Sequence, residues 1–257
     1  MRSWLPALLT FASLLGAGCS EAEDPAAPEP VEVPEFNKQW TPSSERSRQA
    51  RREVAPQLIR DLRDKGLEYG APVFIRIFKQ EEVLELWVKG EEQYELFRKY
   101  PIAKMSGVLG PKLEEGDYQA PEGFYSVKPA QMNPNSQFHL SFNLGYPNAY
   151  DRAHDRTGSA LMIHGNRMSL GCFAMTDAKV EEIYTLCDVA LRKGQPAFQV
   201  HSFPFRMTKE NMRKHRNSKW FPFWRNLKEG YDWFEEKGTP PDVKVKEKRY
   251  VFGEAGS

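Results

Sequence analysis

Two hydrophobic periods alternate along the 257-residue chain. In SSERSRQARREVAPQLIRDLRDKG, residues 43–66, Val54, Leu58, Ile59 and Leu62 fall on one 3.6-residue stripe, which predicts a helix closed by Gly66. Pro56 lies inside that helix and is expected to kink or split it, because proline lacks the backbone donor and crowds the preceding turn. From residue 72 the period shortens to two. PVFIRIF and VLELWVK, separated by the charged KQEE, predict a hairpin, and YELFRKYPIAK, GFYSV, SALMIHG and AFQVHSF predict further strands. FHLSFNLG alternates throughout, with Phe138, Leu140, Phe142 and Leu144 on one face and His139, Ser141 and Asn143 on the other. The glycine- and proline-rich SGVLGPKLEEGDYQAPEG crosses between strands. TDAKVEEIYTLCDVALRKG returns to the helical period, with Thr176 at the N-cap, Val180, Ile183, Cys187, Ala190 and Leu191 facing inward and Gly194 as the stop. The tail segments TKENMRKHR and KWFPFWRNLKEGYDWFEEKG predict aromatic helices whose rings need a surface to cover. The sum is an α+β fold, mainly β, with one central helix and helices flanking it at both ends.

The N-terminus follows a different rule. Arg2 precedes the apolar WLPALLTFASLLGAG, which is too short to span a bilayer and reads, over residues 1–18, as an export signal. Small residues lead into Cys19, an arrangement resembling the bacterial lipoprotein signal, in which the thiol is lipidated and becomes the new N-terminus. Gly16 departs from that pattern, and plain cleavage near the same site is the alternative. Residues 19–42 read as a flexible tether, since SEAEDPAAPEPVEVPEF holds too little apolar surface to offset its ordering entropy. The expected location is the cell envelope, in the periplasm, with a lipid anchor in a membrane.

Charge narrows the field. With 36 Lys+Arg against 35 Asp+Glu the formal charge is +1, which gives no field for gathering nucleic acid or coating an anionic membrane. No block reads as a basic groove with interleaved aromatics. Three cysteines, at 19, 172 and 187, cannot build a disulfide scaffold, and Cys187 is explained as a small core residue.

The remaining chemistry lies in IHGNRMSLGCFAM, residues 163–175. A thiol attacks a carbonyl as thiolate and needs a neighbour that accepts its proton. His164 ends a strand and Cys172 follows in the loop, close enough in sequence for the turn to bring them together. Gly171 clears space beside the thiol and lets backbone N–H groups near Gly171 and Cys172 face a developing oxyanion, while Ser169 can fix the loop through local hydrogen bonds. A zinc site from His154, His164 and Cys172 is the metal alternative, and it lacks a fourth ligand and paired-cysteine spacing. A structural turn holding both residue types is the bland alternative.

IHGNRMSLGC, preceded by APEGFYSV and SFNLGYPNAYD, resembles the L,D-transpeptidase catalytic family, also called YkuD-like. GFYSV, LSFNLGYPNAYD, FPFWRNLKEGYD and the short His–Cys spacing are similar to its YafK-like branch. The resemblance implies an L,D-transpeptidase-type β-sandwich catalytic domain over residues 72–202, a helical lead-in at 43–71 and an aromatic helical extension at 203–257 that packs on it. It implies Cys172 as nucleophile, His164 as proton acceptor and donor, and a backbone carbonyl orienting the imidazole. The implied substrate is a peptidoglycan stem peptide, cut at the third residue through a thioester, with no metal or organic cofactor. His139, Ser141 and Asn143, with Asp151 and Arg152 of YDRAHDRTG, are candidate substrate contacts. A solvated strand face and local ion pairs explain them as well. Leu170 and Ala174 stand where many members carry polar residues, which leaves the acyl donor open. Transfer to an amine, hydrolysis that releases a peptidoglycan-linked outer-membrane lipoprotein, and a non-catalytic wall-binding lipoprotein are the readings to separate.

Overall fold

The computed structural model describes Met1 and residues 31–254, so the export segment, Cys19 and the tether up to residue 30 lie outside the described residues. In chain order the strands are β1 (Val73–Phe78), β2 (Val83–Lys89), β3 (Tyr94–Pro101), β4 (Gly123–Val127), β5 (Met132–Asn133), β6 (Ser141–Asn143), β7 (Met162–His164), β8 (Phe173–Ala174), β9 (Phe198–Phe203), β10 (Asp242–Lys246) and β11 (Arg249–Gly253). The helices are α1 (Glu45–Arg63), α2 (Ala149–Ala153), α3 (Asp177–Lys193), α4 (Lys209–Lys214) and α5 (Phe221–Lys237).

A five-stranded sheet runs β3-β2-β1-β9-β4 and a four-stranded sheet runs β5-β6-β7-β8. The fold is α+β, as expected. Strand β1 is buried along its whole length because both faces of the large sheet are covered. On one face Val73, Ile75 and Ile77 sit opposite Val88, Leu86 and Leu84 of β2 and share a core with α1, α3 and Phe142, Ile163 and Phe173 of the small sheet. On the other face Phe78 and Phe203 pack under Trp224, Leu227 and Tyr231 of α5. Arg76 projects from β1 into this aromatic layer. Its guanidinium carbon lies 4.4 Å from the Tyr231 ring centroid and its Nη1 donates to Glu235 at 2.6 Å, so a charge 2% exposed is matched by α5 itself.

Three expectations change. Helix α1 runs unbroken through Pro56, because Ala55, Leu58, Ile59 and Leu62 on either side pack as one buried face and Ser44 and Ser47 close a capping box at its start. In FHLSFNLG only Ser141–Asn143 is strand, since His139 has a φ of 69° that breaks the extended run. The C-terminal extension packs on the sheet, but it is not helical to its end. It finishes in the β10–β11 hairpin, whose first strand DVKVK alternates valine with charge over only five residues and which is held by Tyr250, 2% exposed and bonded through its hydroxyl to Asn148.

One buried ion pair joins these layers. Lys79 Nζ, just past β1, lies 3.0 Å from Glu122 Oε1 and also donates to the carbonyls of Gly110 and Ala120, with the two side chains 2% and 0% exposed. Glu122 in turn accepts from Gly110 N–H at 2.7 Å and from the Trp224 indole of α5 at 2.8 Å. Removing the cation alone strands a buried carboxylate, so Lys79→Met is expected to cost about 3–5 kcal/mol in urea unfolding. Adding Glu122→Gln to that variant should recover part of the loss, since it removes the stranded charge, although its single amide oxygen can keep only one of the bonds from Gly110 and Trp224. A double variant no more stable than Lys79→Met would show that the unpaired charge is not the cause.

Candidate active site

Strand β7 brings His164 to the small sheet, where Ser141 of β6 lies opposite it on one side and Ala174 of β8 on the other. Its ring is almost wholly buried, tilted against Phe138 at a centroid distance of 4.7 Å. Nδ1 lies 2.5 Å from the Gly165 carbonyl oxygen. A carbonyl only accepts, so Nδ1 carries the proton and Nε2 is left as the basic nitrogen. Burial holds the imidazole below its ordinary pKa, against the opposing pull of the Gly165 bond, and favours the neutral ring.

The parallel β7–β8 pairing sets the thiol. Ile163 faces Phe173 and His164 faces Ala174, so Cys172, one residue before β8, comes alongside Met162, whose N–H reaches its Sγ at 3.4 Å. His164 therefore stands two positions along β7 from Met162, the residue whose N–H meets the thiol. Cys172 is half-buried, and its S–H points to the Ala160 carbonyl at 3.6 Å. Burial pushes the thiol up, while the Met162 N–H and the Lys112 ammonium pull it down by less. The resting pair is a neutral thiol and a neutral imidazole.

The loop between the two is fixed from both ends. Asp177, the first residue of α3, accepts from Asn166 N–H at 2.7 Å, while Thr176 sits at the N-cap position with no side-chain bond to the helix. Ser169 Oγ donates to the Cys172 carbonyl at 2.5 Å. Gly171 has a φ of 92°, a conformation that disfavours any side chain, and its N–H is taken by Ser106 Oγ at 2.7 Å. The Gly171 amide, one of the two beside the thiol, is therefore already engaged within the protein. Ser106 also donates to the Tyr118 carbonyl, and the chain before it bridges Lys104 to Ala174. Ser106 and Lys112 were missed in sequence because nothing in SGVLGPK marks its polar groups as meeting a loop some 60 residues on; Ser106 and Gly171 are 65 positions apart.

The other candidates separate. Ser141 lies in the imidazole's own row, fully buried, with its hydroxyl 3.5 Å from Met162 Sδ. Asn143 accepts from Gly145 N–H at 2.8 Å and so holds a turn. His139 Nε2 is 2.7 Å from Glu181 of α3. Asp151 is 0% exposed, bonded to Arg156 and Tyr125 and to the Asn148 N–H at the start of α2. Arg152 bonds the Pro147 carbonyl and lines a groove of ≈ 350 Å³ beside the β10–β11 hairpin. His154 is on that same side, bonded to the Lys248 carbonyl. Among the described residues no three His, Cys, Asp or Glu side chains gather as a metal site. Ala174 is fully buried and Leu170 is 73% exposed at the loop's tip.

The small sheet thus carries a histidine whose Nδ1 is held by a carbonyl and, just before the neighbouring strand β8, a cysteine preceded by glycine. The L,D-transpeptidase catalytic domain model, YkuD, matches residues 72–197. The chain is 51% identical over 182 residues to the Escherichia coli (strain K12) protein named "Putative L,D-transpeptidase YafK", covering 71% of this chain and 74% of that one. Among solved structures, a mutant form of the helical cell shape determining protein Pgp2 from Campylobacter jejuni is 18% identical with a TM-score of 0.44, covering 79% of this chain and 81% of that one. The chain belongs to the YkuD-type L,D-transpeptidase family.

The raised thiol makes a direct expectation. Iodoacetamide labelling of Cys172, followed by mass spectrometry of its peptide, should accelerate with pH to a midpoint above the ordinary thiol value. Lys112→Met should move that midpoint higher still, because it removes a favourable charge. A rate already at its plateau at neutral pH would instead indicate a standing thiolate–imidazolium pair.

Proposed function

We propose that this domain is a cysteine acyl-transfer enzyme of the cell envelope that opens peptidoglycan stem peptides through a thioester on Cys172. The observation that carries the reading is the His164 Nδ1 bond to the Gly165 carbonyl, which leaves Nε2 as the basic nitrogen, two positions along β7 from the residue whose N–H meets the thiol. Family membership and the similarity to a protein named as an L,D-transpeptidase supply the substrate class. Export is required, and residues 1–19 supply it on the sequence reading.

The chemistry proceeds in two halves. As substrate displaces the thiol from the Ala160 carbonyl, His164 Nε2 takes its proton and the sulfur attacks the carbonyl carbon of the third stem residue. Negative charge on the carbonyl oxygen is met by the Cys172 N–H. The tetrahedral adduct collapses with cleavage of the C–N bond, and the imidazolium returns its proton to the departing amine. An acceptor amine or water then attacks the thioester, His164 removes its proton, and the thiol is restored. The exposed Leu170 beside this path gives the donor peptide an apolar contact where many members of the family present a polar one.

Incubation with stem tetrapeptides is expected to place one acyl adduct on Cys172 and none on the fully buried Cys187. Cys172→Ala should abolish turnover of muropeptides, and His164→Ala should lower it by about 10²–10⁴-fold. The acid limb of kcat/KM should lie below pH ~6.5, since burial lowers the base. New cross-linked dimers would assign transfer, and freed lipoprotein or shortened stems without dimers would assign hydrolysis. A Cys172→Ala protein as active as the parent in cells would leave only a wall-binding role.

A further inference from the structure

The chain as a whole is nearly neutral, yet one corner is not. Between residues 206 and 225 there are seven Lys and Arg and a single carboxylate, Glu210. Arg206 is spent on Glu85 of β2 at 2.6 Å, and Lys214 pairs with Glu210 one turn away. Lys209, Arg213, Arg216, Lys219 and Arg225 are all exposed and form no ion pair among the described residues. The overall +1 expected to leave no attractive field is therefore a balance between a basic corner and an acidic remainder.

These five cations fall within one short stretch, residues 209–225. Helix α4 turns its apolar side inward through Met212, 6% exposed, and ends at His215, whose ring stacks on Phe205 at 4.3 Å and lies 5.9 Å from Trp224 in the first turn of α5. That contact brings the end of α4 against the start of α5, and the exposed cations lie on these two helices and the turn between them. Between the helices Lys219 Nζ sits 4.8 Å from the centroid of the half-buried Trp220 ring, with Phe221 half-buried beside it and Pro222 exposed.

We propose that this α4–α5 corner docks the protein on an anionic phospholipid surface. Unpaired cations around a half-buried tryptophan and phenylalanine match the polar–apolar boundary of a bilayer, where Lys and Arg meet phosphate and aromatic rings sit at headgroup depth. A nucleic-acid surface fits less well, since base stacking needs an open ring face. Here Lys219 covers the Trp220 ring and its Nε1 edge is packed on Gly110, where a Cβ would stand 2.4 Å away. The same packing sets the corner against the crossing segment that carries Ser106.

Flotation of the purified full chain with vesicles tests this independently of catalysis. Binding to phosphatidylcholine vesicles containing roughly a third phosphatidylglycerol should far exceed binding to phosphatidylcholine alone, and should collapse between about 50 and about 500 mM salt. Any anchoring through residues 1–30 acts on both lipids alike. Changing Lys209, Arg213, Arg216, Lys219 and Arg225 together to Gln should reduce the anionic-lipid partitioning by about 100-fold. Changing the three arginines to Lys should preserve it, and Cys172→Ala should leave it untouched. Equal binding to the two lipids, or an unchanged preference in the neutralised chain, would overturn the proposal. So would displacement from vesicles by an oligonucleotide at equal phosphate concentration, which would reassign the corner to nucleic acid.

Discussion

The Lys79–Glu122 pair is the constraint on which the arrangement of the site depends. Glu122 is fully buried, and its carboxylate is the meeting point of a strand end, the Gly110 amide and the indole of α5. With Gln119 bonded to the backbone of Val108 and Gly110, it gives the glycine-rich crossing segment a defined path although that segment has no secondary structure of its own. That path delivers Ser106 to the Gly171 amide. A loop at the end of a two-residue strand is thereby tied to the opposite face of the large sheet.

The same economy governs the reacting groups. Burial disfavours charge on both His164 and Cys172, so the free protein stores neither a thiolate nor an imidazolium. The Gly165 carbonyl selects the tautomer in advance, and the Ala160 carbonyl holds the thiol proton until something displaces it. On the far face of β1, Arg76 and the rings of α5 form a closed aromatic layer.

Charge follows position more than sum. Cations lying within the fold are individually matched, Arg76 by Glu235, Lys79 by Glu122 and Arg156 by Asp151. Those of the α4–α5 corner are left to solvent. A count over the chain averages the two populations and hides both.

Much of this was determined by the sequence itself. The hairpin of β1 and β2, the inward face of α3 from Val180 to Leu191 and the stripe of α1 all follow from periods within a few residues, where local backbone geometry decides. The strand after residue 137 was overread because its alternation continues through His139, and only the packing of His139 against Glu181 and of Arg46 against the His139 carbonyl turns the backbone there. The terminal hairpin and the unbroken passage of α1 through Pro56 were likewise decided by what they pack on. What only tertiary structure could decide is which polar group meets which. The capture of the Gly171 amide by Ser106 and the match of Lys79 to Glu122 each join residues through contacts that no periodicity encodes. Long-range pairing of polar atoms is set by where the hydrophobic layers leave them, and that is known only once the layers have closed.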